Sequence, residues 1–594
     1  MRQKEKPKNI KETFKRLTGY LRPHLIRLII VLFAAISSTV FAILGPKVMG
    51  DTITVVFDGA YDKIRGIPEG GIDFTQVAKL LTLLAGLYIF SSLFRFMQQF
   101  LMASVAQRIV YRMREQIFGK LQRLPLKYYD GRSHGDTLSR VINDIDTIGN
   151  TLQQSITQLI TSVVTIVGII FMMFYISPLL TVIALVSLPL SIFVIRPLLI
   201  RSQKNFAAQQ KHLGHLNGHI EEMYTGHHII KSYGQEEKSL EQFDEVNEEL
   251  FDAGRSAQFI SGIIMPVMTF IGNISYVVIS IVGGFLVINR AISIGDIQAF
   301  ITYTRQFSQP ITQTANIANI IQSTIAAAER VFELLDEEEE IPEETAYELS
   351  QVKGAVAFEN VHFGYDEPLI ENMNIHIKPG QTVAIVGPTG AGKTTIINLL
   401  MRFYELNKGK ITIDGIDIAK ISRNNLRKQF GMVLQDTWLF NGTIKENIAY
   451  GRENPTDEEI VAAAKAARAH PFIQSLPDGY DFVLNEDGSN ISQGERQLIT
   501  TARAILANTP ILILDEATSS VDTRTEILIQ QAMNELMEGR TSFVIAHRLS
   551  TIRDADIILV VDEGSIIEQG SHEELLEQDG FYADLYNSQF SDAG

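Results

Sequence analysis

The chain has 594 residues, 46% hydrophobic and 20% charged, with a formal net charge of −16 and no cysteine. This excludes a disordered or fibrous chain, a disulfide scaffold and a thiolate metal site. The acidic balance also argues against nucleic acid as a partner.

Residues 1–27 carry nine Lys/Arg and two acids. An apolar run from Leu28 to Leu44 follows, near the roughly 20 helical residues that a hydrocarbon core requires. It is too long for a cleavable signal peptide and lacks a clear small-residue cleavage site. A second span runs from about Leu80 to Ala103. The apolar stretch from Ile156 to Ile195 is too long for one crossing, and Ser177-Pro178 divides it into two antiparallel helices. A fifth span covers about Ile260 to Val287. A sixth, more polar, covers about Ile297 to Ile321.

The loop from Gly50 to Gln76 is net acidic, so the positive-inside rule places the N-terminus in the cytoplasm. Six crossings return the chain to that side. Residues 105–154 and about 197–258 are long, polar and helical in period, so the membrane helices are expected to extend well into the cytoplasm. Arg95 and Arg305 are the charges inside spans, and carboxylates there are scarce. Proton relays need such carboxylates, so the energy source lies elsewhere. Gln306, Gln309, Gln313 and Asn316 line either a wet pathway or a helix–helix contact.

The domain plan expected from this pattern is a membrane domain at 1–325, a linker at 326–352 and a nucleotide-binding domain at 353–594. An acidic run from Glu333 to Glu344 reads as solvated linker. Beyond it, VAFENVHFGY reads as a strand. QTVAIVG is a short apolar strand, followed by GPTGAGKTT and a helix from near Thr394. Residues Gly387 to Thr394 match G-x-x-x-x-G-K-[ST]. The glycines let backbone N–H groups wrap phosphates closely, and the helix start adds a favourable dipole. Lys393 reaches the β and γ phosphates, and Thr394 places its hydroxyl on Mg²⁺. A second apolar strand, ILILDEAT, ends in Asp515-Glu516. Asp515 is placed to hold Mg²⁺, and Glu516 to polarise the attacking water as general base. Between them, Ser492 and Glu495 have capping-box spacing.

Together these residues resemble the ATP-binding cassette (ABC) family over nearly the whole chain, in the order of an exporter half-transporter. Gly387, Pro388, Thr389, Gly390, Ala391, Gly392, Lys393, Thr394 and Thr395 are similar to its Walker A loop. Ile511 to Glu516 resemble Walker B, and Ile491 to Glu495 the signature motif. The resemblance implies further roles. Tyr365 would stack on adenine. Gln435 would link Mg²⁺ and the attacking water to the membrane domain. Asp522 would be the D-loop aspartate, His547 would contact the γ-phosphate, and Glu486 would lie in the loop before the signature. Ser492 and Gly494 would complete the ATP site of an opposite subunit. Short helices near Tyr128-Asp130 and His227-Tyr233 would couple the ATPase to the membrane helices.

The family's usual signature is Leu-Ser-Gly-Gly-Gln. Here it is Ile491-Ser492-Gln493-Gly494-Glu495, which adds a side chain and a negative charge near an anion site. This resembles heterodimeric exporters with one weakly hydrolysing site. The expected function is ATP-driven export of hydrophobic or amphipathic compounds, multidrug type, across the cell membrane, with ATP and Mg²⁺ as cofactors. The expected partners are a second half-transporter, membrane lipids and small hydrophobic substrates. A homodimeric lipid flippase is the alternative expectation, and an ATP-gated channel or regulator a further one.

Overall fold

The computed structural model describes residues 9–67, 71–341, 347–365, 367–435, 437–485, 488–515, 522–546 and 549–590. Contacts divide the chain into two units: Met1–Arg123 with Arg132–Glu337, and Leu124–Gly131 with Glu338–Gly594. The helices up to the second unit's main body are α1 (Ile10–Leu21), α2 (Leu25–Ile64), α3 (Phe74–Leu121), α4 (Leu126–Asp130), α5 (His134–Ile176), α6 (Pro178–Thr225), α7 (His227–Tyr233), α8 (Glu236–Ile288) and α9 (Ile294–Asp336).

The first unit is helical. Each of the six expected spans lies inside one long helix: α2, α3, α5, α6, α8 or α9. Among the described residues, four helical stretches are apolar and long enough to cross a membrane: Ile10–Ile64, α3, α5 and α8. The break at Ser177 has a local cause. Its backbone is extended, its side chain accepts the Leu180 N–H, and Pro178 opens α6 where no N–H is needed. The polar stretches at 105–154 and 197–258 are largely helical continuations of α3, α5, α6 and α8.

Helices α2 and α3 pack antiparallel. Tyr20 Oη, at the end of α1, donates to Gln116 Oε1 at 2.6 Å, and Ser91 Oγ donates to the Ser38 carbonyl at 2.8 Å. Helix α9 docks on α2 through Tyr303, whose hydroxyl donates to the Ile43 carbonyl at 2.6 Å. Near the start of α9 the contact is backbone to backbone: a Cβ on Gly295 would fall 1.7 Å from the Gly50 carbonyl oxygen. Gly295→Ala should therefore force α2 and α9 apart and cost about 2 kcal/mol. Thermal unfolding of the detergent-purified variant measures this; an unchanged midpoint would refute the close approach.

The expected linker begins at 326, but α9 continues to Asp336, and Ala327, Val331, Phe332 and Leu334 are buried in the first unit's core. The acidic run is thus not uniformly solvated. Arg330 forms a bidentate pair with Asp144 at 2.8 and 2.5 Å, and Arg132 pairs with Glu337.

The second unit is α/β. An antiparallel sheet is built from β1 (Val356–Gly364), β2 (Pro368–Ile377), β4 (Lys408–Ile413) and β5 (Ile416–Asp417), in the order β2-β1-β4-β5. A mainly parallel sheet holds β3 (Thr382–Val386), β6 (Phe430–Val433), β7 (Ile511–Asp515), β8 (Thr541–Ile545), β9 (Ile557–Asp562) and β10 (Ser565–Gly570), in the order β10-β9-β3-β8-β7-β6. Both faces of this sheet are covered, which explains its continuous apolar strands. Val383 and Ile385 join the core shared with the antiparallel sheet, while Ala384 and Val386 join a second core beneath the C-terminal helix. Helix α10 (Lys393–Leu400) follows β3. A helical region holds α11 (Ile444–Ala449), α12 (Asp457–Ala466), α13 (His470–Ser475) and α14 (Gln493–Ala507) around its own core. Helices α15 (Thr523–Met537) and α16 (Phe581–Phe590) complete the unit.

Candidate nucleotide site

Strands β3, β8, β7 and β6 are neighbours and parallel, so the segments leaving their C-terminal ends emerge along one sheet edge. The phosphate loop leaves β3, Asp515 ends β7, and Gln435 follows β6 by two residues. The register sets their depth. Ile545 of β8 pairs with Ile385 on one side and Asp515 on the other, so the loop and Asp515 lie level, two strands apart. At about 4.8 Å per strand, that leaves roughly 10 Å between the strand ends, room for a phosphate chain.

The loop's own geometry fits an anion. A Cβ on Gly387 would meet the Val561 carbonyl at 2.0 Å, so only glycine permits this path. Gly392 caps α10 in the left-handed region, φ 100°, with no side-chain cap. The first-turn N–H groups therefore remain open to an external acceptor. Lys393 Nζ donates to the carbonyls of Gly387 and Pro388 at 2.7 and 2.9 Å. Burial pushes its ammonium below the ordinary lysine value, and the Asp515 charge opposes that shift. Pro388, Thr389, Gly390 and Thr394 are exposed, whereas Ala391 and Thr395 are buried and hold the loop to the core.

A cavity of about 110 Å³ lies beside the loop, lined by Gly387, Pro388, Thr389 and Lys393 and, behind them, by Tyr582 and Tyr586 of α16. It is well below the roughly 300 Å³ of ordinary ligand pockets, so a nucleoside must lie outside it. Tyr365, just beyond β1, offers the surface. Its hydroxyl lies 3.4 Å from Thr395 Oγ1, and its ring meets Phe363 and Tyr404 edge-on, both at 5.0 Å. That bracing leaves the exposed ring face available to stack a base.

Tyr404 is a residue that sequence reasoning missed. Its hydroxyl hydrogen-bonds the Asp130 carboxylate of α4, so the expected coupling helix near Tyr128-Asp130 belongs by its contacts to the second unit. Burial and Asp130 hold the Tyr404 phenol protonated, well above its ordinary value. An Asp 274 residues upstream leaves no local spacing signal for this pair.

Other expected residues lie elsewhere in the unit. Ser492 caps α14 and Gly494 is buried in its first turn. Among the described residues, no hydrogen bond or ion pair joins Ser492, Gly494 or Glu495 to the phosphate loop. The capping box is complete: the Glu495 carboxylate accepts from both the backbone N–H and the hydroxyl of Ser492, each at 2.8 Å. Asp522 caps α15 by accepting the Thr525 N–H at 3.0 Å, and hydrogen bonds from Thr525 hold its carboxyl below the usual range. Gln435 is exposed. Glu516, His547 and Glu486 lie outside the described residues, as do the side chains of Gln309 and Asn316. Gln306 and Gln313 lie on α9.

The residues present suit Mg²⁺ as a phosphate-bound ion. Thr394 and Asp515 supply oxygens at the loop, while no group of three or more His, Asp or Glu among the described residues is arranged to hold a metal alone.

The model of the ABC transporter transmembrane region matches residues 28–311, and the ABC transporter model matches residues 370–519. The chain is 47% identical to a fatty acid ABC transporter ATP-binding/permease protein of Mycobacterium bovis, covering 96% of this chain and 95% of the relative. It is 46% identical to an ABC transporter ATP-binding protein of Bacillus subtilis, covering 99% and 96%. It is 36% identical to an ATP-dependent lipid A-core flippase of Syntrophus aciditrophicus, covering 98% and 95%.

Proposed function

The chain belongs to the ABC transporter family, as an exporter half that couples ATP hydrolysis to transport, and on that premise we propose that it moves amphipathic compounds outward as one half of a heterodimer. Its N-terminus and ATPase face the cytoplasm in this reading, with a membrane domain that runs on to the end of α9, a linker after it and a nucleotide-binding domain at 353–594. The names of the relatives, which include a fatty acid transporter and a lipid A-core flippase, favour lipid-like substrates. A homodimeric flippase is the second reading, favoured by those names.

The observation that carries the heterodimer is the Glu495 carboxylate. In a two-subunit site, Ser492 and the first turn of α14 would present their donors to a γ-phosphate of the opposite chain. Here Glu495 already accepts a hydrogen bond from the Ser492 hydroxyl, and its negative charge would lie beside that phosphate. Two unit charges about 6 Å apart at an effective dielectric near 20 repel by roughly 3 kcal/mol. A site completed by this signature closes poorly. A partner with an unaltered signature would instead complete the site built on this chain's own phosphate loop.

At that loop, the proposed roles follow from position. The N–H groups of Gly390, Gly392 and Lys393 cradle phosphate oxygens, and Lys393 exchanges its two loop carbonyls for them. Thr394, Asp515 and Gln435 would hold Mg²⁺, which neutralises phosphate charge when bound. Tyr365 stacks the base. Glu516 takes the proton of the attacking water, and His547 contacts the phosphate that leaves. Helix α7 supports dimer coupling: it is a seven-residue tip whose Ile229 and Tyr233 are exposed and apolar, suited to a partner's ATPase.

Glu495→Gln keeps the capping box and removes the charge. It should raise ATP turnover of the purified transporter by about tenfold where this signature limits closure. Equal turnover in both proteins would remove the basis of the weak-site reading. Expressing the chain alone tests the partner: full drug-stimulated turnover from a single-chain species would leave only the homodimer.

A further inference from the structure

Three arginines near the start of the first span are left without partners by the function above. Tyr20, at the end of α1, meets Gln116 of α3, and Ser38 of α2 meets Ser91 of α3. His24 and Arg27 lie between these contacts on one side, and Arg108 and Arg112 lie between them on α3. Burial and the charges of Arg27, Arg108 and Arg112 all hold the His24 ring below its ordinary value, in line with that placement.

Two acids at this end are already engaged. Arg16 pairs with Asp336, and Arg114 pairs with Asp146 at 2.5 Å. By contrast, Arg27, Arg108 and Arg112 have no hydrogen-bond or ion-pair partner among the described residues. Arg27 is the telling case, because its Nη1 is sealed from solvent with nothing to donate to. A buried guanidinium nitrogen without a partner is costly, and water cannot reach it. Arg108 and Arg112 sit one helical turn apart on the exposed face of α3, aimed at the same region.

The surroundings decide what kind of anion fits. Ile26 and Ile30 flank Arg27 and are 76% and 40% exposed; Tyr111 flanks Arg108 and is 70% exposed. A free inorganic anion has no use for this apolar rim. A molecule with an anionic head and acyl chains satisfies both parts. We propose that this end of α2 and α3 is a binding site for an acidic membrane phospholipid, its phosphate seated on Arg27, Arg108 and Arg112. The proposal rests on the topology proposed above only for the leaflet that supplies the lipid, here the cytoplasmic one.

The test uses the full chain, purified and mixed with equal phosphatidylglycerol and phosphatidylcholine. Native mass spectrometry then counts the lipids retained. At about 1 kcal/mol per basic residue near an anionic surface, the wild type should prefer phosphatidylglycerol by tenfold or more. R27Q/R108Q/R112Q should lose that preference, and R27K/R108K/R112K should largely keep it. Equal preference in the wild type and the Gln variant would overturn the site. Millimolar inorganic phosphate should leave the lipid in place; its displacement would mark a simple anion site and overturn the lipid assignment. Unchanged ATP binding shows that a variant is folded. Should the triple Gln variant fail this check, R108Q/R112Q, whose side chains are exposed, decides by the same comparison. Lipid retention is read without turnover, so failure of the export reading leaves this result independent.

Discussion

Glu516→Gln is expected to lower ATP turnover by about a thousandfold while leaving ATP affinity nearly unchanged. The reason lies in strand β7. Four consecutive buried residues, Ile511 to Leu514, anchor it between β8 and β6, and Asp515 ends it level with the base of the phosphate loop. Glu516 is the next residue in the sequence, after the carboxylate proposed to hold Mg²⁺. Glutamine preserves size and hydrogen-bonding reach but cannot take a proton. The chemical step should fail while the loop still gathers phosphates. Phosphate release and equilibrium nucleotide binding, measured on the same preparation, separate the two. Turnover within threefold of wild type would remove Glu516 from the general-base role. In a heterodimer whose partner lacks such a glutamate, this one substitution should silence nearly all hydrolysis.

Lys393→Ala should act on the other term. The ammonium has two loop carbonyls within hydrogen-bond distance, so it is held over the place where phosphates would sit. A charge-assisted hydrogen bond is worth about 1.5–3 kcal/mol, so ATP affinity should fall roughly 10- to 100-fold. Burial disfavours the ammonium, and an anion beside it opposes that shift, which strengthens the contact. The chain's single tryptophan, Trp438, lies three residues beyond Gln435 and is half exposed, so its fluorescence can report binding directly. An unchanged binding curve would show that Lys393 does not contact the nucleotide.

Much of the site was legible because its chemistry is local. GPTGAGKTT specifies a glycine path and a helix start in nine consecutive residues. Ser492 and Glu495 are three residues apart, and the structure contains the capping box that this spacing predicts. Ser177-Pro178 broke the long apolar run where expected. Contacts distant in sequence were not legible. Nothing near Tyr404 announces Asp130, and nothing in β1 names both β2 and β4 as partners. The acidic run after Glu333 misled for a related reason. Its carboxylates have specific cationic partners: Glu333 with Arg140, Glu337 with Arg132, and Glu340 with Arg423 and Arg427. Composition registers those charges as solvated, while the apolar stripe of the same helix is buried beside them. Likewise, the basic N-terminus indicated orientation but not which arginines would stay unpaired.

The assignment of Leu124–Gly131 to the ATPase unit has a practical consequence. A fragment cut at Glu338 would carry every residue proposed to bind phosphate yet lack the segment that holds Tyr404. That phenol also braces Tyr365, the ring proposed to hold the base. Such a truncated enzyme would bear an altered adenine platform from the outset, and its affinity would misreport the intact transporter. Supplying residues 124–131 as a free peptide should draw the fragment back toward the native value. The boundary that counts for biochemistry is therefore the folded one, not the point where the polypeptide can be conveniently severed.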